Sequence, residues 1–319
     1  MQDTIWDKMI QASKMQVATR SDTSCRFQMR DAGGEGQMTC YEIFKGIILM
    51  KNDFHMAFCQ SEFQMAGKML AIDHCREGRI EWALQNNHYT YLSQGDLQIG
   101  SKNDHAMGFG FPTQHYHGIT VAIFYEEISP ETKAICEVFG LDLEAFYKKY
   151  GGGKNNSILR NQPQVDHILS EIYHMAPSLQ VSYYRLKVIE LLLYLLNLEK
   201  PINGQASAYF PKQKVEQIKV IHTFLISHLN EHLTVEALSE RFGMPQTQMK
   251  TIFKAVYGEA IYQFTKRYKM EWAAKLLRES DAQISDIAGQ VGYDNPSKFS
   301  AAFKKEWGVS PLHYRQGYL

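Results

Sequence analysis

The sequence predicts an α+β fold in three parts: an N-terminal β-barrel, a helical connector, and a C-terminal all-α domain with two helix-turn-helix motifs. Three observations carry this. Residues 38–125 break into short apolar or alternating runs divided by turn residues. From residue 129 the apolar spacing lengthens to that of helices. Residues 233–319 contain an internal repeat. The expected boundaries are 1–128 for the barrel, 129–199 for the connector, 200–214 for a linker and 215–319 for the all-α domain.

In the first part the runs are "MTCYEIF", "GIILM", "HMAFCQ", "MLAIDHC", "RIEWAL", "HYTYLS", "DLQIG" and "GITVAIFY". Between them lie "KG", "KND", "REG" and "SQGD", which are turn signals. Strands this short and this frequent fit a sandwich or small barrel. In the second part Ser129-Pro130-Glu131 reads as a helix start with a capping hydroxyl and Pro in the first turn. A helix then ends at the glycine run after Tyr150, and "QPQVDHILSEIYHMA" forms the next. The helix around 181–198 carries Leu186, Ile189, Leu192, Leu193 and Leu196. That apolar side is wide enough to pair two chains or to be buried within its own domain. "KPINGQASAYFPKQK" has linker composition.

The repeat is specific. Val235, Leu238, Ser239, Phe242 and Gly243 match Ile284, Ile287, Ala288, Val291 and Gly292 at a spacing of 49. Met249, Phe253, Lys254 and Gly258 match Phe299, Phe303, Lys304 and Gly308 at a spacing of 50. Each copy reads helix, glycine turn, helix, with Gly243 and Gly292 where the chain needs a positive φ. In a helix-turn-helix the second helix enters the major groove. The outward residues of that helix are Gln246, Thr247, Lys250, Thr251 and Lys254 in the first copy. In the second they are Ser297, Lys298, Ala301, Lys304 and Lys305. These are mostly donors and cations without a carboxylate, as phosphates and base edges require. Between the copies a helix of about 20 residues spans roughly 30 Å, close to the roughly 34 Å of one DNA turn. Ile261, Phe264, Tyr268, Trp272 and Leu276 are its expected apolar stripe, with Lys266, Arg267 and Lys269 off it. Arg267 is expected to join the lysines in neutralising phosphates.

Composition bounds the function. Of 319 residues, 45% are hydrophobic and 21% charged, an ordinary globular balance. The longest apolar run, "VIELLLYLLNL", falls well short of the roughly 20 residues that cross a bilayer. The polar N-terminus lacks a signal-peptide core. Five cysteines without a C-x-x-C pair are expected to be reduced thiols in a cytoplasm. The zero net charge is uneven: from Lys212 onward 15 Lys+Arg face 11 Asp+Glu, a balance of +4, leaving −4 for the rest.

Residues 215–319 resemble the DNA-binding domain of the AraC/XylS family of transcription regulators. The residues that carry the resemblance are "LTVEALSERFGM", "IFKAVYGEAIYQFTKRYKMEWAAKLLRES" and "ISDIAGQVGYDNPSKFSAAFKKEWGVSPLHYR". The resemblance implies a bacterial activator that binds direct-repeat promoter sites and contacts RNA polymerase, in the cytoplasm with the nucleoid. By position it assigns base contact to Thr247, Lys250 and Thr251, and to Ser297, Lys298 and Ala301. Family members often carry Arg at the places of Thr251 and Ala301, so the second helix is expected mainly to grip the backbone.

The N-terminal part resembles the cupin-like barrels of the same family, "YLSQGDLQIG" resembling a cupin Gly-Asp turn. "GIILMKNDFHMAF" and "IDHCREGRIEW" resemble a subgroup related to pyochelin-responsive regulators. A small-molecule effector and a homodimer are therefore expected. The candidate effector pocket is Trp82, Phe109, Phe111, His115, Tyr116 and His117, although these aromatics also suit a barrel core. His115 and His117 would point to the same side of a strand, but no H-x-H-x-E arrangement follows them, so no metal, cofactor or enzymatic activity is assigned. The alternatives are a cupin-type metal-binding sensor or metalloenzyme fused to the DNA-binding module, and a ligand-free regulator controlled by a protein partner.

Overall fold

In the computed structural model the chain divides into two compact units, Met1–Phe210 and Pro211–Leu319. The structure describes residues 5–12, 16–31, 33–59, 67–84, 87–101, 105–151, 157–160, 162–175, 180–199 and 209–317. Of the expected linker, residues 200–208 lie outside them, and residues 212–214 already belong to a helix.

The first unit opens with α1 (Ile5–Ala12), then β1 (Gln16–Arg20), β2 (Ser24–Asp31), β3 (Gly34–Phe44), β4 (Ile47–Met56) and β5 (Phe58–Cys59). There follow β6 (Met69–Leu84), β7 (His88–Ser93), β8 (Leu97–Gly100), β9 (His105–Gly110) and β10 (Tyr116–Phe124). The main path across the sheet is β1-β2-β3-β4-β10-β6-β7. All of these pairings are antiparallel. The sheet curls into a half-barrel, where the sequence predicts a barrel.

Strand β6 shows why the expected turn at "REG" is not a turn. It runs on for 16 residues. Its first half pairs with β10 and β8, and its second with β7 and β9. A register shift opposite His117/Gly118 takes up one extra residue, a β-bulge that bends the strand. Gly78, at φ +78°, follows the bulge, and a Cβ there would meet the His115 carbonyl oxygen at 1.9 Å. Only glycine lets the two strands approach this closely.

The two sheet faces bury different cores. The inner face holds Phe27, Ile48, Phe54, Trp82, Phe111 and Phe124, joined by Trp6 and Met9 of α1. The outer face holds Ile47, Leu49, Ile72, Ile119, Val121 and Ile123. Onto that outer face pack α2 (Pro130–Val138), α3 (Leu143–Tyr150), α4 (Pro163–His174) and α5 (Gln180–Asn197). Ser129 and Asp142 cap α2 and α3 through side-chain oxygens. A short β11 (Ser157–Leu159) extends the sheet beside β8. Helices α2 to α5 thus share one core with the sheet instead of forming a separate connector. The expected dimer seam on α5 is mostly internal: Ile189 is 4% exposed and Leu192 fully buried, while Leu186 is 60% exposed.

In the second unit, beyond a two-residue strand β12 (Phe210–Pro211), lie α6 (Lys212–Ser227), α7 (Val235–Phe242), α8 (Gln246–Tyr257), α9 (Ile261–Glu279), α10 (Ile284–Gln290), α11 (Pro296–Trp307) and α12 (Pro311–Arg315). Helix α9 serves two clusters. Ile261 and Phe264 are buried in its first half, and Phe264 meets Phe253 and Tyr257 of α8. In its second half Met270, Ala273, Ala274 and Leu277 pack against Ile287, Val291, Phe299, Phe303 and Tyr314. The expected single stripe is therefore corrected: Trp272 is 36% exposed, and buried alanines replace it. Lys269, expected to face outward, is buried, and its Nζ lies 3.4 Å from the Glu231 carbonyl oxygen. Burial pushes its pKa down.

His222 of α6 stacks on Tyr257 with ring centroids 4.3 Å apart and lies 4.9 Å from Phe264. Burial pushes its pKa down to about 4. A base whose pKa is lower folded than unfolded stays neutral in the folded state. Its stability contribution is present above the unfolded value near 6.5 and is lost as pH falls towards about 4. The expected loss for the second unit is about 2–3 kcal/mol by pH 4. Urea titrations at pH 7 and pH 4 on wild type and His222→Phe check this, the variant losing less.

Candidate nucleic-acid interface

The two halves of the second unit are built alike. Thr234 caps α7 through Ala237 N–H, and Gly243 ends it at φ +59°. Three residues later α8 begins, and it ends at Gly258, φ +88°. In the second half Gly292 has φ +75°, and a Cβ there would meet the Leu229 carbonyl oxygen at 2.8 Å. Asn295 then opens α11 by accepting from the backbone N–H groups of Ser297 and Lys298, at 2.8 and 3.2 Å. Gly308 ends α11 at φ +77°. These turns and ends fix where α8 and α11 start, and so which residues share a face.

That phase decides what faces outward. Met249, Ile252, Phe253 and Val256 bury one side of α8, and Phe299 and Phe303 one side of α11. Gln246, Thr247, Lys250, Thr251 and Lys254 are all exposed on α8, and Ser297, Lys298, Ala301, Lys304 and Lys305 on α11. None of these five lysines has a carboxylate partner among the described residues. Each helix therefore offers unpaired ammonium groups beside short hydroxyl or methyl side chains.

Arg267 departs from the expected set. Its Nη2 lies 2.6 Å from Glu259 and its Nη1 2.5 Å from Glu271. Burial opposes its charge, but these two bonds outweigh it and hold its pKa above the ordinary value. With two carboxylates on one guanidinium the local charge is negative. Arg267 braces the turn before α9, its guanidinium engaged by both carboxylates.

The expected effector residues also fall differently. Trp82, Phe111 and Tyr116 are 1–3% exposed and belong to the inner core. Phe111 stacks on Phe54 and Tyr116 at 5.0 and 5.5 Å, with Phe109 edge-on to Phe111. These rings pack on one another as barrel core. His115 and His117 do not converge. His115 meets His55 across the strands, whereas His117 lies edge-on to Tyr173 at 5.0 Å. An open cleft of about 460 Å³ at the sheet margin is lined by Gln16, Gln28, Arg30, Glu35, Asp53 and His55 among others, and by none of the six expected residues.

One inner feature has no signature in the sequence. Asn52, Thr120, Asp73 and Gln98 follow one another across β4, β10, β6 and β8 on the inner face, all under 8% exposed. Asn52 Nδ2 donates to Thr120 Oγ1 at 3.1 Å, and Thr120 Oγ1 donates to Asp73 at 2.8 Å. Gln98 Oε1 is buried with no partner among the described residues. A polar row with an orphan acceptor inside an apolar core is costly without a use. Each of these residues stands singly in its own strand, so nothing in the sequence links them.

Comparison with known proteins bears on the second unit. A family model described as a helix-turn-helix domain matches residues 238–317. The chain is 35% identical over 83 residues to the HTH-type transcriptional regulator AlkR of Acinetobacter baylyi, covering 26% of this chain and 27% of that protein. It is 30% identical over 108 residues to the probable transcriptional regulator LumQ of Photobacterium leiognathi, covering 33% and 44%. With the HTH-type transcriptional regulator ExsA of Pseudomonas aeruginosa it shares 29% identity over 133 residues, covering 41% and 47%. The chain thus spans less than half the length of each of these relatives. Among solved structures, the C-terminal domain of AraT, a response regulator from Geobacillus stearothermophilus, is 31% identical, with 32% of this chain and 84% of that chain covered and a TM-score of 0.31.

Proposed function

We propose, from the premise that the C-terminal unit is a DNA-binding domain of the AraC/XylS type, that this protein is a transcription regulator that reads promoter DNA with α8 and α11, each the second helix of a helix-turn-helix motif. The observation that carries the reading is the paired outer faces: two helices in equivalent places of a repeat, each exposing unpaired lysines, with Glu306 near the end of α11 the one exposed carboxylate on either helix. On α8, Thr247, Lys250 and Thr251 reach base edges, and Gln246 and Lys254 the flanking backbone. On α11, Ser297 and Lys298 lie at the helix start, Ala301 offers only a methyl contact, and Lys304 and Lys305 grip phosphates. Specificity is therefore concentrated in α8.

The first unit is the sensing domain of this reading, a cupin-like fold whose inner polar row of Asn52, Thr120, Asp73 and Gln98 is the place for a small effector with hydrogen-bonding groups. RNA polymerase is the partner at the promoter, in a bacterial cytoplasm. A homodimer fits the reading, with its contact away from the buried side of α5.

Lys250→Ala and Lys305→Ala test the assignment together. Lys250→Ala is expected to cost about 1–3 kcal/mol at one operator position and to relax base preference there. Lys305→Ala is expected to weaken matched and scrambled operators alike. Gel-shift titrations against a single-substitution operator library read both. Equal losses on all sequences for both variants would sink the division into reading and gripping residues.

A further inference from the structure

We propose that the cross-strand pair His55 and His115 in the first unit is an open binding site for a divalent ion of imidazole preference, zinc or copper. Four observations on one patch of the outer sheet face carry it.

The first is the separation of the two nitrogens. His55 Nδ1 and His115 Nδ1 lie 3.4 Å apart. Two nitrogens bound tetrahedrally to one zinc at about 2.0–2.1 Å each must lie about 3.4 Å apart. The rings are tilted by 37° with centroids 4.8 Å apart, so they face each other without stacking flat.

The second is what holds the far side of each ring. His55 Nε2 lies 3.1 Å from Asp53 Oδ1, and His115 Nε2 lies 3.4 Å from Glu77 Oε2. The two Nδ1 atoms are within hydrogen-bond distance, one ring donating and the other accepting, so a single proton stands where a metal ion would bind. A carboxylate facing each Nε2 can receive the displaced N–H, which frees both Nδ1 atoms to ligate. Carboxylate, imidazole, ion, imidazole, carboxylate is the order in which protein metal sites orient their ligands.

The third is the backbone that aims the pair. Tyr116 pairs with Phe54 and His117 with Asp53, so His115, one residue before the first paired position, comes opposite His55. Gln114, just before it, has φ +55°, and its N–H bonds the Phe111 carbonyl oxygen in a tight turn. Thr113 Oγ1 donates to the His115 carbonyl oxygen at 3.1 Å. The β6 bulge and Gly78 bring Glu77 up to His115. A non-glycine left-handed residue and a bulge at one spot are devices that re-aim side chains.

The fourth is access. Both imidazoles are partly solvent-exposed, at 59% for His55 and 34% for His115, and His55 with Asp53 also lines the open cleft. Among the described residues no three His, Cys, Asp or Glu side chains form a closed metal cluster. The ion therefore has two protein nitrogens, and its remaining positions go to water or to a ligand in the cleft. Arg76 lies 3.5 Å from Glu77 and competes for that carboxylate, so the site favours ions that bind imidazole tightly, in the order copper over zinc.

Untagged full-length protein, stripped with chelator, is titrated with Cu(II) and separately with Zn(II) against a chromophoric competitor. One ion per chain is expected, with a nitrogen-coupled copper spectrum in electron paramagnetic resonance. His55→Ala and His115→Ala should each abolish the competition. Asp53→Asn and Glu77→Gln should weaken it about 10–100-fold. His167→Ala, an exposed histidine on α4, should leave it unchanged. Circular dichroism melts of every variant establish that each is folded. Binding that survives both histidine variants overturns the proposal. So does the absence of stoichiometric binding in wild type, in which case a shared proton fills the gap and the pair is a protonation site only.

Discussion

Ile189→Asp is expected to unfold the first unit. Ile189 is 4% exposed and belongs to the core between α5 and the outer face of the sheet. Ile43, Leu49 and Ile72 supply the sheet side of that core, and Val188, Leu191 and Leu192 the helix side. The substitution removes about 1.5–3 kcal/mol of apolar burial and places a carboxylate inside an apolar cluster. The total loss is expected to exceed about 4 kcal/mol, a large part of the roughly 5–15 kcal/mol that holds a domain together. Leu186→Asp, on the exposed side of the same helix, is expected to change stability by less than about 0.5 kcal/mol. Thermal melts of both variants read the difference. A folded, monomeric Ile189→Asp protein in sedimentation would return α5 to the role of a dimer seam.

The second large effect is on DNA affinity. Lys250, Lys254, Lys298, Lys304 and Lys305 are exposed and have no carboxylate partner among the described residues. If each neutralises one phosphate, the logarithm of affinity falls against the logarithm of salt with a slope of about −4.5. Raising salt fourfold, from about 50 to about 200 mM, then weakens binding about 500-fold. Lys304→Ala should reduce the slope by about 0.9. Arg267→Ala should leave it unchanged, because Glu259 and Glu271 already occupy that guanidinium. Fluorescence anisotropy with labelled promoter DNA measures all of this. An affinity indifferent to salt would remove the phosphate-gripping role from both helices.

The second unit is the more legible in the sequence, for physical reasons. A repeat states its own geometry twice, so Gly243 and Gly292 stand out as positive-φ positions, and they have φ +59° and +75°. The exposed face of α8 follows from the positions of Met249 and Phe253. The pairing of Arg267 with Glu259 is not legible in the sequence because Glu259 precedes the helix and lies outside any i, i+4 pattern. The stripe on α9 misleads because alanines carry weak hydrophobic signal. Its buried face also shifts where the helix passes from one cluster to the other.

In the first unit periodicity finds strands but cannot say which faces will meet. Alternation along "GITVAIFY" is plain, yet which side receives the helices depends on contacts between residues far apart in the chain. The pair His55 and His115 is separated by 60 positions and forms no motif. The H-x-H spacing is visible and leads to His117, whereas the partner of His115 lies on the neighbouring strand. The polar row across β4, β10, β6 and β8 is invisible for the same reason: it exists only once the register is set.

Helix α9 has a consequence for how such a chain can evolve. It is 19 residues of continuous helix with one hydrophobic cluster at each end and no glycine or proline between them. Each residue added to or removed from a helix turns everything beyond it by about 100° and shifts it by about 1.5 Å. Substitutions along its exposed side are therefore tolerable, but a single insertion or deletion would swing α11 out of its present orientation to α8. The loops before and after α9 can change length, while α9 itself is locked in register. Divergent descendants of this chain would then change by exchanging side chains on the exposed faces of α8 and α11, and leave the distance between those helices to the helix that inherited it.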